Sequence, residues 1–327
     1  MSPLEDSVIE LNTKHVDNIV KFVSDIRNGK LEGSNKIAVA TVALLELVIS
    51  DSQNANAMQL SCVVREVGRR IVRALPAELV AANMVRRVLR AIQDEYRANA
   101  DQYGGGESLQ KLVLGAGARR ATLGPNQQDL REPLREHIAE IRLELETSAQ
   151  SICGTARSHV HADELILTYG ASALAERFLK TCLSRKFRLI LVEGTQHQKS
   201  HAMALRLSAA GAPVTVVSNA AVCGLMSRVN KVVVGARAAL AGGAALAEAG
   251  LHAVTTAAKF YSVPVIVLAP LYKLSPLYAC DQHHFNALAP PHHALPYESA
   301  EACSSRVVAP QYDFVPPDHI TLFITNL

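Results

Sequence analysis

Pro264-Val265-Ile266-Val267-Leu268-Ala269 decides how the second half of this chain folds. Four consecutive aliphatic residues with no polar alternation fit a strand covered on both faces, as in a parallel sheet held between helices. Working outward, short runs of the same kind recur at 164–168, 188–193, 213–218 and 231–235. Helical stretches at 171–183, 199–210, 220–229 and 252–261 separate them. Strand, helix and strand in regular succession make βαβ units and a parallel sheet with helices on both faces. The expected architecture for residues 151–327 is therefore a Rossmann-like, doubly wound parallel sheet.

Residues 1–150 have the other period. Val16, Ile19, Val20, Val23 and Ile26 recur at three- and four-residue steps until Asn28-Gly29 supplies a stop. Val63, Val67, Ile71 and Leu75 form a second stripe closed by Pro76, and Val80, Met84, Val88, Ile92 and Tyr96 form a third. Leu130, Leu134, Ile138, Ile141, Leu145 and Ala149 mark a long fourth helix. Residues 101–128, with Gly104-Gly105-Gly106 and Gly124-Pro125-Asn126, break the pattern and are expected to be a mobile loop. The fold class is α/β, a helical domain at 1–150 followed by the Rossmann-like domain, with no internal repeat.

Charge and composition narrow the function classes. Lys and Arg number 33 against 30 Asp and Glu, a net charge of +3 without a dense basic stripe, which argues against direct nucleic-acid binding. The longest apolar stretch, 37–49, is interrupted by Glu46 and is too short for a membrane span. The six cysteines are scattered without a Cys-x-x-Cys pair, the habit of reduced core thiols. The polar, acidic N-terminus lacks a signal-peptide pattern, so a soluble, cytoplasmic protein is expected.

In an open parallel sheet, ligands gather at the carboxyl ends of the strands. Here those ends read Thr168-Tyr169-Gly170, Glu193-Gly194-Thr195, Ser218-Asn219, Gly235-Ala236-Arg237 and Ala269-Pro270. Gly170 and Ala171 would open a helix whose free N–H groups could take a phosphate, and Arg237 and Lys259 could supply positive charge. The candidate pocket residues are Gly170, Glu193, Asn219, Arg237 and Lys259. The alternative is a set of ordinary strand-to-helix turns. Gly115-Ala116-Gly117 imitates a dinucleotide fingerprint but lacks the flanking βαβ unit, so no nucleotide cofactor is expected. His283-His284 and His292-His293 match no zinc spacing, so no metal is expected. No Ser/His/Asp arrangement stands out, and a lone Glu193 is weak ground for acid–base chemistry.

Several longer runs then converge. They are Met226-Ser-Arg-Val-Asn-Lys-Val-Val-Val-Gly235, Ala269-Pro-Leu-Tyr-Lys-Leu-Ser-Pro276 and Tyr312-Asp-Phe-Val-Pro-Pro-Asp-His-Ile-Thr-Leu-Phe-Ile-Thr-Asn326. Gly68-Arg69-Arg70 and Asn83-Met-Val-Arg-Arg-Val-Leu89 join them from the helical half. From about residue 15 onward the chain resembles the beta-subunit family of eukaryotic translation initiation factor 2B. That family has alpha and delta paralogues and is similar in fold to methylthioribose-1-phosphate isomerase. Such isomerases carry a Cys after the first Rossmann strand and an Asp in a Gly-Ala-Asp run. The corresponding places here read Thr168-Tyr169-Gly170 and Gly235-Ala236-Arg237, and an arginine is a poor proton shuttle.

The resemblance implies a regulatory, non-catalytic subunit of a guanine-nucleotide exchange factor. Its partners would be the alpha, delta, gamma and epsilon subunits, with epsilon catalytic, and initiation factor 2, bound through its alpha subunit and sensed for phosphorylation. The alternative is a sugar-phosphate isomerase, or a sugar-phosphate or nucleotide sensor, of the same fold. Candidate contacts to the substrate are Gln128, Arg131 and Arg135 at the start of the fourth helix, with Arg86, Arg87 and Arg90 as a second set. An intra-domain ion pair is the competing role for these arginines. The surfaces at 263–276 and 320–324 are the candidates for subunit pairing, with core packing as the competing role. The stretch from Glu193 to His201 departs from the family pattern, lacking its proline and glycine. The family continues beyond Leu327 through a turn into a last helix, so the C-terminal end is expected to be incomplete.

Overall fold

A computed structural model describes residues 12–52, 57–103, 131–281, 285–290, 292, 295–298 and 306–327, the side chains of 99–103 excepted. The chain divides into two compact units, Met1–Leu145 and Glu146–Leu327. The dinucleotide-like segment at 115–121, most of the 101–128 segment, Gln128, His283, His284 and His293 lie outside the described residues.

The first unit is helical: α1 (Thr13–Arg27), α2 (Ser34–Asp51), α3 (Ala57–Ala74), α4 (Leu79–Tyr103) and α5 (Arg131–Gly154), whose last residues belong to the second unit. On α4, Val80, Met84, Val88 and Ile92 are buried, as their spacing predicts. Two other stripes are rotated from the sequence expectation. The first helix buries His15, Ile19, Phe22 and Val23 and exposes Val20; α3 buries Leu60, Val64, Val67 and Ile71 rather than Val63 and Leu75. The period is right in both, but contact with neighbours selects which of two adjacent aliphatic rows faces inward. Gly68 on α3 is where the reason can be seen: a Cβ there would collide with Val85 of α4, so the glycine sets how closely these helices approach. α5 is pinned by polar contacts as well. Asn35 Nδ2 donates to Leu145 O at 2.8 Å, and Arg142 pairs with Glu46 at 2.5 Å.

In the second unit six strands form one parallel sheet: β1 (Leu165–Tyr169), β2 (Arg188–Val192), β3 (Val214–Val217), β4 (Lys231–Gly235), β7 (Val265–Leu268) and β10 (Leu322–Ile324). Their order is β10-β7-β4-β1-β2-β3, with β1 in register against β2 (Leu165↔Arg188) and β4 (Ile166↔Lys231). Helices α7 (Ala173–Thr181) and α8 (His197–Ala209) cover one face over Phe178, Leu179, Phe187, Leu189 and Leu191. The other face lies under α9 (Val222–Met226) and α10 (Leu251–Phe260), over Leu167, Ile190, Val232, Val234 and Val267. Alternate residues of one strand thus enter two different cores, which is why the strands read as unbroken apolar runs. Val265–Leu268 is wholly buried, so of the 263–276 surface only flanking positions such as Leu274 remain exposed.

A second sheet was not legible in the sequence. β5 (Ala238–Leu240), β6 (Ala245–Glu248), β8 (Leu274–Ser275) and β9 (Tyr312–Val315) form it in the order β8-β5-β6-β9. Its β5–β6 hairpin turns at Gly243, whose φ of +78° is one that L side chains rarely adopt. At the amino edge of the main sheet, after the short helix α6 (Ala156–His159), Lys231 Nζ donates to His159 O at 2.5 Å and to Glu164 at 3.0 Å. No described helix is long and apolar enough to cross a membrane.

Candidate functional site

The strand order reverses between β1 and β4, and the crevice at their carboxyl ends is where a sheet of this topology would hold a ligand. Gly170 closes β1 with φ +62°, as a sharp exit from the strand requires. Its N–H is already spent on Val192 O at 3.0 Å. The amide of Gly194, after β2, donates to Ser200 Oγ at 3.3 Å, and Ala175 N, in the first turn of α7, to Ser172 Oγ at 3.3 Å. Backbone amides at two of these turns, after β1 and after β2, are therefore engaged within the protein.

The space over the two glycines is taken as well. Glu248, at the end of β6, places its carboxylate where a Cβ on either Gly170 or Gly194 would have to sit, and Thr195 Oγ1 donates to it at 2.8 Å. An anion entering here meets a carboxylate instead of free N–H groups. Tyr169 points to the same region, its hydroxyl donating to Ala249 O at 2.5 Å. Burial, and then the charges of Glu248 and Asp313, raise the Tyr169 pKa well above that of a free phenol, so it stays protonated. Asp313 accepts from Gly250 N at 2.7 Å and His252 N at 3.2 Å, capping α10.

The remaining pocket candidates separate. Glu193 pairs with His201 (2.6 Å) and His197 (3.6 Å). The His201 hydrogen bond holds its carboxyl below the usual range even though desolvation opposes this. Asn219 approaches Gly250, its Oδ1 buried without a partner among the described residues. The Arg237 guanidinium lies 5.7 Å from the Tyr312 ring, a cation–π contact. Lys259 is a correction. It sits at the C-terminal end of α10 and pairs with Asp318, in the turn that leads into β10, away from the carboxyl ends of the strands. A helix leading into a parallel strand has its C-terminal end at the strand's beginning, so a lysine in its last turn faces the wrong edge.

The sequence reading missed Glu248, Asp313 and Lys273. Lys273 is buried beside the crevice, donating to Ala236 O at 2.7 Å. Burial, and then Arg237, push its pKa down to about 7. All three belong to or adjoin the small second sheet, whose short Ala-rich strands carry little periodic signal. Among the described residues no cluster of three or more His, Cys, Asp or Glu is arranged to hold a metal ion.

In the helical unit the arginine candidates also differ in kind. Arg87 forms a bidentate pair with Glu144 of α5, the intra-domain role, which removes it from the exposed set. Arg135 pairs with Glu132 one turn away, and Arg131 begins the same helix. Arg86 donates to Asn83 Oδ1 at 3.0 Å, and Arg90 lies 3.5 Å from Asp94. Arg86, Leu89, Arg90, Gln93, Asp94 and Arg97 line a groove of about 420 Å³.

The chain thus combines a helical unit with a Rossmann-like unit whose crevice holds its own Glu248 carboxylate over Gly170 and Gly194. Residues 30–327 match the initiation factor 2 subunit family, and the chain belongs to that family. It is 32% identical to translation initiation factor eIF2B subunit beta of Schizosaccharomyces pombe, over 97% of this chain and 93% of that protein. It is 30% identical to the subunit of the same name in Dictyostelium discoideum, over 94% and 90%. Its structure is similar to a chain of the tetrameric eIF2B-beta2-delta2 complex from Chaetomium thermophilum, with a TM-score of 0.69 and 26% identity over 97% and 94% of the two chains.

Proposed function

We propose that this chain is a beta-type regulatory subunit of the guanine-nucleotide exchange factor for initiation factor 2, carrying no catalysis itself. The observation that carries this reading is the crevice. By the resemblance, Thr168-Tyr169-Gly170 and Gly235-Ala236-Arg237 take the places at which an isomerase of similar fold carries its thiol and its carboxylate. The Tyr169 proton is engaged by Ala249 O, and the Glu248 carboxylate lies over Gly170 and Gly194. An aldose–ketose isomerisation needs an acid–base pair poised over the substrate, and these residues do not supply one. The similarity to named beta subunits along nearly the whole chain supports the same conclusion.

In this reading the partners are the alpha, delta, gamma and epsilon subunits and initiation factor 2, and the setting is the cytoplasm. The Rossmann-like unit pairs with delta, the exposed Leu274 of β8 and Leu322 of β10, each on an edge strand of its own sheet, contributing. The helical unit receives the alpha subunit of initiation factor 2 through Gln128, Arg131 and Arg135, with Arg86 and Arg90 as a second contact. Phosphorylation of that substrate adds charge at a contact made by arginines and shifts its binding mode. GDP release from initiation factor 2 is the test. The purified chain alone is expected to be inert. An assembly carrying Arg131→Glu and Arg135→Glu is expected to exchange nucleotide more slowly and to respond less to phosphorylated substrate. Unchanged rates and response would remove these residues from the contact, and exchange by the chain alone would overturn the regulatory assignment.

A further inference from the structure

We infer that the exposed face of α4 is a docking surface for an acidic helical segment of a partner protein, one carrying Glu or Asp at four-residue spacing. This deepens the proposed function and rests on it, because it assigns a chemistry and an outline to a contact of the helical unit. Arg86, Arg90 and Arg97 are four and seven residues apart, so the 3.6-residue turn brings all three, with Gln93, onto one side of the helix. They span eleven residues, about 16 Å along the axis at the α-helical rise.

Among the described residues, the groove they line has Leu89 as its apolar member and Asp94 as its only acid. Asp94 serves two of the arginines at long range, 3.5 Å to Arg90 and 4.0 Å to Arg97, so the stripe keeps an excess of positive charge. Both side chains stand mostly in solvent, 82% and 60% exposed, and Arg86 is half-buried with its guanidinium partly desolvated, which lowers its pKa. A desolvated guanidinium bonded to a neutral asparagine oxygen gains when a carboxylate arrives, because charge-assisted bidentate pairs are the stronger kind. Carboxylates at i and i+4 of a facing helix repeat at the spacing of Arg86 and Arg90.

A nucleic acid fits this surface less well. It would seek a wider field of charge and stacking partners, and among the described residues none that lines the groove is aromatic. Arg87, adjacent in sequence, takes no part because Glu144 holds it.

The test is fluorescence anisotropy with the full-length chain purified together with whatever subunits accompany it. The probes are a labelled helical peptide with glutamates at every fourth position, its lysine counterpart, and a single-stranded oligonucleotide of equal charge to the first. The glutamate peptide is expected to bind saturably, more weakly as salt rises, and at least ~10-fold more weakly to Arg90→Glu/Arg97→Glu. The lysine peptide is expected to bind that variant in preference to the wild type. Equal affinity of wild type and variant for the glutamate peptide overturns the inference, as does tighter binding of the oligonucleotide. Mass spectrometry of the same preparations separates the two claims: partner subunits retained while peptide binding is insensitive to the variant sinks this inference alone, whereas partners absent throughout sinks the proposed function.

Discussion

The Glu248 carboxylate lies where a side chain on Gly170 would have to project, with Thr195 Oγ1 holding it from below by a 2.8 Å hydrogen bond. One acidic residue from the small sheet thereby lies at the carboxyl edge of the large sheet, where a sheet of this topology would hold a ligand. The crevice is part of the protein's own packing.

Gly170→Ala is therefore expected to destabilise the second unit by at least ~2 kcal/mol, combining the positive φ with the collision against Glu248. Urea unfolding measures it. A variant as stable as the parent would mean that Glu248 is free to leave the crevice.

A pentose 1-phosphate is expected to leave the thermal midpoint unchanged at millimolar concentration. A ligand at a hundred times its dissociation constant would add ~2.7 kcal/mol, several degrees for a unit of this size. A reproducible upward shift would show that the crevice still accepts an anion despite its carboxylate.

Lys273 gives a pH dependence with a definite sign. Its pKa is about 7 in the folded protein against 10.5 for a free lysine, so between those values the unfolded chain binds more protons. Stability contributed through this group rises as pH increases from 7 toward 10.5, and the penalty is fully present below 7. Lys273→Met removes this component, so the gain between pH 7 and 9 is expected to shrink by about 2 kcal/mol at ~1.4 kcal/mol per pKa unit. Denaturation at the two pH values compares the slopes, and parallel slopes would place the ammonium in contact with water.

Lys231→Met is expected to lower stability at pH 7 by about 3 kcal/mol, because it leaves Glu164 and the His159 carbonyl without their cation. Burial alone would raise the Glu164 pKa. The bonds from His161 N–H and Lys231 outweigh it and bring it below 4.5. The stability Glu164 adds is present above 4.5 and lost as pH falls through its folded value, so the variant's deficit is expected to narrow in acid. A deficit independent of pH would assign the effect to packing instead.

The parallel sheet was legible because its strands are buried on both faces, and a run such as Val265–Leu268 has no other economical fold. The helix periods were legible too, though not the face, since adjacent Val63 and Val64 cannot be ranked without the neighbouring helix. The small sheet was not, because β5 and β6 are alanine-rich and three or four residues long. That loss hid the crevice, since Glu248 ends β6 and Asp313 lies in β9, the strand that pairs with it. Glu193, Asn219 and Arg237 were visible because they follow main-sheet strands directly, whereas Lys259 was placed at the wrong edge for want of the helix direction. On α4, Arg86 and Arg90 could be read from sequence. Arg97, which completes the stripe, was overlooked although it keeps the same helical period.

Mass spectrometry of what co-purifies with the tagged full-length chain from its own cells tests the central claim most directly. The account predicts the delta, alpha, gamma and epsilon subunits together with initiation factor 2. A clean homo-oligomer carrying none of them would contradict it.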